Sequence, residues 1–300
     1  MNKTCIIILG PTAVGKTAFA LQLAQSLSTE IISADSRQCY RELNIGVAKP
    51  SNEELSQVNH YFINSHSVTE TVNAAVFEKY ALEKAKTIFD NSDYAVMVGG
   101  TGLYIKAFCE GMDEIPAIKE GVREVVTAGY KEHGLVWLQN ELRIKDPAWF
   151  ETGETQNPQR MMRALEVMIS TGKSIRSFLI VKKKARPFNI IKIGLEIPRE
   201  KLYQQVNSRV ENMMKAGLLN EVEGLVQFRN MNALQTVGYC ELFGYLDGNV
   251  SLEEAVQAIQ LNTRHYAKRQ LTWFKREKDV EWIHPDIPID SIINRINKNR

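Results

Sequence analysis

One eight-residue stretch near the start of the chain constrains the fold more than any other feature of the sequence. Gly10-Pro11-Thr12-Ala13-Val14-Gly15-Lys16-Thr17 matches the phosphate-binding loop (P-loop) pattern. It follows the apolar run Cys5–Leu9, which is typical of a buried parallel strand, and it precedes helically spaced apolar residues between Lys16 and Leu27. This context favours a P-loop over an ordinary glycine-rich turn.

The residue types of the loop are suited to hold phosphate oxygens. Its glycines let backbone N–H groups surround a phosphate at a helix N-terminus, and Lys16 adds a positive charge. The hydroxyl of Thr17 can bind Mg²⁺, so we predict Mg²⁺ as the cofactor and Thr17 as its ligand. The loop alone does not identify the reaction, because kinases, GTPases, ATPases and transferases all use it.

Further apolar runs predict an α/β fold, a P-loop NTPase-like parallel sheet flanked by helices. The predicted elements are strands at Glu30–Ser33, Tyr94–Val98, Ile190–Ile197 and Val280–Ile283, and helices at Leu202–Met213 and Ser251–Lys275. Ligands of parallel sheets gather at the carboxyl ends of the strands. Asp35 and Gly99-Gly100-Thr101 follow strand ends, so we expect them to meet the P-loop in one cleft.

The middle of the chain has a different pattern. From about Gly111 to about Pro187 it is charged and helical, with no clear buried strand. We therefore predict a catalytic core formed by residues 1–112 and 187–300, interrupted by an inserted all-helical domain at residues 113–186.

Composition narrows the classes of protein. The four cysteines stand singly, which disfavours a structural zinc site, and no apolar run approaches the roughly 18 residues that suggest a membrane span. The N-terminus shows no secretory segment, and no heptad pattern suggests a dimer. We expect a cytoplasmic monomer without membrane contact, in which a net charge of +2 leaves any nucleic-acid surface to local basic patches.

The sequence has no acid at the strand end where a nucleotide hydrolase usually carries one. Such enzymes usually carry an acid that helps to hold Mg²⁺, yet Tyr94–Val98 is followed by glycines. The acid nearest the P-loop in the topology is Asp35, which can face a leaving phosphate or an acceptor group. The alternative is a turn aspartate without chemistry.

Five ordered blocks give the sequence a specific resemblance. They are Gly10–Thr17, Asp35–Pro50, Val98–Tyr104, Asn157–Arg160 and Ala267–Trp273. Together they resemble the tRNA dimethylallyltransferase family, also called tRNA isopentenyltransferases or IPP transferases, over nearly the whole chain. The resemblance implies transfer of a dimethylallyl group from dimethylallyl diphosphate to the N6 amine of the adenosine 3′-adjacent to the anticodon, with release of diphosphate.

The resemblance also implies roles for individual residues. Asp35 would accept a hydrogen bond from the adenosine amine and remove its proton. Lys16, Thr17 with Mg²⁺, and Arg209 would neutralise the diphosphate leaving group. The P-loop, Gly10 to Thr17, would bind the diphosphate rather than ATP.

The substrate partner implied by the resemblance is the tRNA anticodon stem-loop. The implied tRNA-binding residues are Asp35, Ser36, Arg37, Gln38, Thr101, Arg123, Gln159, Arg160, Met161, Met162 and Arg163. Further candidates for phosphate contact or base stacking are Lys182–Arg186 and Arg264–Lys278. The alternatives are solvated helix faces for the arginines, helix capping for Thr101, and core packing for Trp273 and Phe274.

Three other functions stay open. A P-loop kinase would share the loop and Mg²⁺ but would not explain a basic inserted domain. An isopentenyltransferase acting on free adenine nucleotide would not need that domain. A nucleotide-gated RNA-binding module would not need an acid at Asp35.

Overall fold

The computed structural model describes residues 3–179 and 183–298. The chain divides into two compact units: the core unit, Met1–Gly111 with Lys184–Arg300, and the inserted unit, Met112–Lys183. The sequence analysis set the limits of the insertion at 113 and 186.

Six parallel strands form one sheet in the core unit. They are β1 Thr4–Leu9, β2 Ile31–Ser33, β3 His60–Tyr61, β4 Tyr94–Gly99, β5 Asn189–Leu195 and β6 Val280–Ile283. Their order is β3-β2-β4-β1-β5-β6, and every pairing is parallel. The predicted fold class is therefore confirmed, while β3 was missed because two residues give no periodic signal.

Helices alternate with these strands along the chain. They are α1 Lys16–Ser26, α2 Asn52–Gln57, α3 Ala74–Asn91, α4 Gly102–Glu110, α5 Val122–Lys145, α6 Pro147–Thr152, α7 Pro158–Thr171, α8 Arg199–Lys215, α9 Leu218–Glu223, α10 Tyr239–Leu246, α11 Leu252–Phe274 and α12 Ile289–Lys298. Within the described part of the chain, no helix is both long enough and apolar enough to cross a membrane.

Strand β1 runs through the middle of the hydrophobic core. All six of its residues are buried, and it pairs with β4 on one side and β5 on the other. Its last residue, Leu9, lies level with Gly99 and Gly194, so the P-loop leaves the sheet between two neighbouring strand ends. Gly10 has φ 145°, and a Cβ there would lie 2.6 Å from the carbonyl oxygen of Leu195, so only glycine fits.

The longest helix of the core unit, α11, begins as the sequence predicted. Ser251 caps the helix: its hydroxyl accepts a hydrogen bond from Glu254 N, while the Glu254 carboxylate accepts one from Ser251 N. The helix buries Ala267, Gln270 and Phe274 on one face. This face therefore places the polar side chain of Gln270 in the core beside the P-loop.

The inserted unit has a hydrophobic core of its own. Val126, Leu138 and Leu142 of α5 pack with Trp149 of α6 and with α7. Gly134 interrupts α5 with φ 73°, a left-handed conformation that glycine adopts without strain. The unit is all-helical over the residues that the structure describes between 112 and 183.

Candidate active site

A cavity of about 380 Å³ lies against the P-loop at the carboxyl ends of the strands. Its walls come from the loop itself, from the ends of β2 and β4, and from helices α8 and α11. The residues that line it include Thr12, Ala13, Gly15, Lys16, Thr17, Asp35, Gln38, Gly99, Gly100, Gln205, Arg209, Tyr266 and Gln270. The structure thus brings together Lys16, Thr17, Asp35 and Arg209, which lie far apart in the sequence.

The P-loop backbone adopts the conformation that surrounds an anion. Ala13 and Gly15 have φ angles of 65° and 96°, and Gly15 is the N-cap of α1 without any capping side chain. The first N–H groups of a helix have no intrahelical partner, and together with the helix dipole they form an anion-binding site. The loop is therefore suited to a phosphate or diphosphate group.

Lys16 lies inside this loop, and its Nζ donates a hydrogen bond to the carbonyl of Pro11 at 2.6 Å. Burial and, after it, the nearby cation of Arg209 lower the pKa of Lys16 to about 7, while the Asp35 carboxylate opposes the shift. Burial also lowers the pKa of Arg209, which Asp35 again opposes. Two cations held close together in a half-buried site are balanced most directly by a bound anion.

Asp35 is held by one oxygen of its carboxylate. Oδ1 accepts hydrogen bonds from Arg37 N at 2.8 Å and from Gln38 N at 3.2 Å, so Asp35 does stabilise the turn after β2. No hydrogen bond to Oδ2 is found among residues 3–179 and 183–298. The turn role and a chemical role are therefore compatible, because each uses a different oxygen.

A second cavity, of about 110 Å³, adjoins the first. The two share Thr12, Asp35, Arg209 and Tyr266 as lining residues. The rest of the second cavity is lined by Arg37, Gly46, Val47, Val210, Met213, Thr236, Val237, Gly238, Ile259 and Thr263. Asp35 therefore stands where the P-loop cavity meets a more apolar one.

Thr101 occupies the N-cap position of α4 but does not cap it, so the capping interpretation is wrong for the side chain. Its hydroxyl accepts a hydrogen bond from Ser36 N at 3.1 Å, and its N–H donates to Ala34 O at 3.2 Å. Gly99 makes this approach possible, because a Cβ there would lie 2.2 Å from the Ala34 carbonyl oxygen. Thr101 thus fixes the loop that carries Asp35.

Arg37 and Gln38 lie beside Asp35 but face different partners. Arg37 lines the second cavity and donates to Asn232 Oδ1 at 3.2 Å, which leaves it close to any acceptor bound there. Gln38 donates through Nε2 to the carbonyls of Val47 and Ala48, at 3.3 and 3.0 Å. Its side chain is engaged in holding the protein together.

Gln270, which was predicted only as part of the range Arg264–Lys278, joins two parts of the site. Its Oε1 accepts from Thr12 N at 2.8 Å, and its Nε2 donates to Gly100 O at 2.9 Å. A polar residue between buried Ala267 and Phe274 on one helix face was the available signal. Tyr266, predicted only as a stacking candidate, lines both cavities, and burial raises its pKa to about 12.

The arginines predicted to bind tRNA in the inserted unit are all ion-paired. Arg123 and Arg163 lie on either side of the buried Glu166 carboxylate, at 3.5 and 3.4 Å. Arg160 pairs with the exposed Glu154. Gln159 is exposed beside it.

Several predicted RNA contacts need correction. Met161 and Met162 are buried in the core of the inserted unit, because they lie on the same face of α7 as Leu165, so they present no surface to an RNA. The side chain of Arg186 is also largely covered, and it donates to Glu78 Oε1 at 2.8 Å and to Phe108 O at 2.7 Å. Lys182, in the same basic run, lies outside the described residues.

The two aromatic residues near the end of α11, Trp273 and Phe274, differ in how deeply they are buried. Phe274 is buried, which confirms core packing for that residue. Trp273 is partly buried against Gly102, where a Cβ would lie 2.3 Å from its ring. Both aromatic side chains therefore serve packing.

Comparison with known proteins finds relatives that match most of this chain. A family model described as IPP transferase matches residues 38–277. A tRNA dimethylallyltransferase of Cytophaga hutchinsonii is 45% identical over 285 residues, which cover 95% of this chain and 94% of that protein.

Two solved structures are similar over 99% of this chain. The tRNA isopentenylpyrophosphate transferase of Bacillus halodurans is 36% identical, with a TM-score of 0.71 and 95% of its chain covered. A eukaryotic dimethylallyltransferase acting on tRNA is 24% identical, with a TM-score of 0.82 and 80% of its chain covered, which is a likeness of fold.

Proposed function

Because the chain belongs to the IPP transferase family, we propose that it transfers a dimethylallyl group from dimethylallyl diphosphate to the N6 amine of the adenosine 3′-adjacent to the anticodon in tRNA, releasing diphosphate. The observation that carries this proposal is the position of Asp35. Its carboxylate lies in the wall shared by the P-loop cavity and the second cavity. Group transfer needs a donor and an acceptor that meet at one point.

The proposed step forms one carbon–nitrogen bond, breaks one carbon–oxygen bond and moves one proton from N6 to Asp35. The adenosine N6 attacks the first carbon of the dimethylallyl group, and the bond from that carbon to the diphosphate oxygen breaks. Asp35 accepts the proton that N6 loses, and diphosphate leaves with the bonding electron pair. The exocyclic amine is a weak nucleophile because its lone pair is delocalised into the ring, so a positioned base favours the attack.

The charge that develops on diphosphate is neutralised by the P-loop cavity. Lys16 and Arg209 both line it, and the guanidinium of Arg209 can bind two oxygens at once. Because Lys16 has its pKa lowered to about 7, a bound anion also stabilises its protonated form. These cations act where the negative charge appears in the transition state.

The donor set of the cavity fits Mg²⁺. Mg²⁺ prefers oxygen ligands and is usually held by one or two protein groups together with substrate phosphates. Thr17 places a hydroxyl in the wall of the P-loop cavity, so it is the residue that would hold the ion. When bound, Mg²⁺ would add positive charge at the leaving diphosphate.

The acceptor we propose is the anticodon stem-loop rather than a free nucleotide. A base inside a stacked loop has to be extracted before it reaches Asp35, and this requires contacts to the surrounding RNA backbone. Arg37 in the core unit and Arg160 and Arg163 in the inserted unit offer cations for such contacts. We infer that the chain works as a monomer, since every residue of the proposed chemistry belongs to one core unit. The proposed tRNA substrate supports a cytoplasmic location.

The experiment that tests the function is transfer of labelled dimethylallyl groups. Unmodified tRNA, AMP and ATP are offered separately with dimethylallyl diphosphate and Mg²⁺. Label in tRNA alone supports the proposal, and label in AMP or ATP supports the enzyme acting on free nucleotide. Phosphoryl transfer from ATP without transfer of label supports the kinase.

A further inference from the structure

The loop formed by residues 44–48, here called the wall loop, contributes Gly46 and Val47 to the second cavity. This inference rests on the proposed function, in which that cavity receives the adenosine. The wall loop has no regular secondary structure of its own, so its position depends on side chains from elsewhere in the core unit.

One carboxylate holds the wall loop by three consecutive backbone groups. Glu221 of α9 accepts hydrogen bonds from Asn44 N at 3.1 Å and Ile45 N at 2.8 Å through Oε2, and from Gly46 N at 3.1 Å through Oε1. Hydrogen bonds to an ionised acceptor are about twice as strong as neutral ones. The carboxylate therefore acts as a fixed point for the whole turn.

A buried tyrosine completes this arrangement. The Tyr239 hydroxyl donates to Glu221 Oε1 at 2.6 Å, and the Tyr239 side chain is fully buried. Burial, with the adjacent Glu221 charge, raises the pKa of Tyr239, so the phenol stays a donor. The ring packs on Gly46 so closely that a Cβ there would lie 2.6 Å from it. Glu221, Tyr239 and Gly46 thus fit only one position of the loop.

The wall loop is connected to the proposed base through Gln38. The Nε2 of Gln38 donates to Val47 O and Ala48 O, and its backbone N–H donates to Asp35 Oδ1 at 3.2 Å. A shift of the loop would pull on Gln38 and so on the carboxylate of Asp35. The P-loop has its own support, since Thr12 N is bound by Gln270.

We propose that Glu221 is a positioning residue for the acceptor: through the wall loop and Gln38 it sets both the cavity wall and the direction of the Asp35 carboxylate. Glu221 touches no reacting atom. Its loss is expected to impair use of tRNA far more than binding of the diphosphate donor.

Glu221→Gln is the sharpest test because it keeps the size of the side chain. A neutral amide can accept at only one end, so its NH₂ group must face backbone N–H donors or Tyr239. We expect kcat/KM for tRNA to fall about 10- to 100-fold and KM for tRNA to rise. Small misplacements of reacting groups cause losses of this size. The KM for dimethylallyl diphosphate is expected to stay within about twofold of wild type, because the P-loop contacts are untouched.

The matched control is Glu223→Gln, which makes the same change at an exposed position of the same helix and is expected to behave as wild type. Tyr239→Phe removes a single hydrogen bond and should give a smaller change in the same direction. If the melting curve shows that Glu221→Gln does not fold, Tyr239→Phe becomes the test. Unchanged KM and kcat for tRNA in Tyr239→Phe would then overturn the proposal.

The outcomes separate this inference from the proposed function. If the wild-type chain transfers no dimethylallyl group to tRNA, the proposed function fails. If wild type is active and Glu221→Gln keeps its KM and kcat for tRNA, only the positioning role fails. A folded Glu221→Gln variant whose KM rises equally for both substrates also overturns that role.

Discussion

The charged groups of the core unit and those of the inserted unit are held in different ways. In the core unit, Asp35 and Lys16 are half-buried and bonded to backbone groups, so their directions are fixed by the loops that end the strands. In the inserted unit, Arg160 is exposed and pairs with the exposed carboxylate of Glu154. Fixed side chains are suited to catalysis, whereas an exposed ion pair allows the arginine to exchange its carboxylate partner for another anion.

The difference has an energetic basis. A side chain fixed by buried hydrogen bonds loses little further freedom when it acts, which is how an active site is organised before the substrate arrives. An exposed ion pair contributes about 0–1 kcal/mol, so an RNA phosphate can displace its carboxylate at little cost. Substitutions in the two units should therefore differ in size and in kind.

The largest effect is expected for Asp35→Asn. Asparagine keeps the oxygen that accepts from Arg37 N and Gln38 N, so the turn should persist while the base is lost. Turnover should fall by roughly two orders of magnitude or more, with tRNA affinity retained. Single-turnover transfer and a tRNA-binding titration measure the two quantities, and unchanged turnover would remove Asp35 from the reaction.

A large effect on stability is expected for Gln270→Leu, which tests whether the core-unit site is held by buried contacts. Leucine leaves Thr12 N–H and Gly100 C=O without the partner that Gln270 provides. The free energy of unfolding should fall by about 1–3 kcal/mol. Urea unfolding measures it, with Lys268→Leu at an exposed position of α11 as the control. A loss below about 0.5 kcal/mol would weaken the contrast between the two units.

Much of the core unit could be predicted because its signals are local. Strand β1 and the P-loop show themselves as an apolar run and a glycine pattern that need no knowledge of the rest of the chain. The partners of Gln270 and Glu221 could not be assigned in this way. These partners lie far along the chain, at Thr12 and at Asn44, and such contacts leave no periodicity.

Two predictions in the inserted unit, RNA contacts for Met161 and Met162, were wrong for a different reason. The resemblance implied RNA contacts for all of Gln159–Arg163, yet a helix turns 100° per residue, so neighbouring side chains point in different directions. Met161 packs inward with Leu165, while Arg160 faces outward. The apolar spacing within α7 contained this distinction.

A pH effect of about tenfold is expected for binding of inorganic diphosphate. Lys16 has a pKa of about 7, so its protonated fraction falls about tenfold between pH 6 and pH 8 and the attraction for the anion falls with it. Isothermal titration across this range, with Mg²⁺ held constant, measures the dissociation constant. Lys16→Arg stays charged and reports the titration of diphosphate itself. If wild type and Lys16→Arg change in parallel, Lys16 is protonated throughout.

The smallest effect is expected on the surface of the inserted unit, where Glu154→Gln releases Arg160 from its ion pair. If Arg160 contacts the RNA backbone, affinity for an anticodon stem-loop RNA should rise about two- to fivefold, which is the range of an exposed pair. Arg160→Gln should lower affinity and reduce the slope of log affinity against log salt concentration by about 0.7 to 0.9.

The control is Glu151→Gln, at an exposed position of α6, which removes the same charge without releasing Arg160. Fluorescence anisotropy at several salt concentrations measures all four proteins. Equal gains in RNA affinity for Glu154→Gln and Glu151→Gln, with unchanged affinity for Arg160→Gln, would mean that Arg160 does not contact the RNA. The contrast between the units would then be one between an active site and an ordinary solvent-exposed helix face.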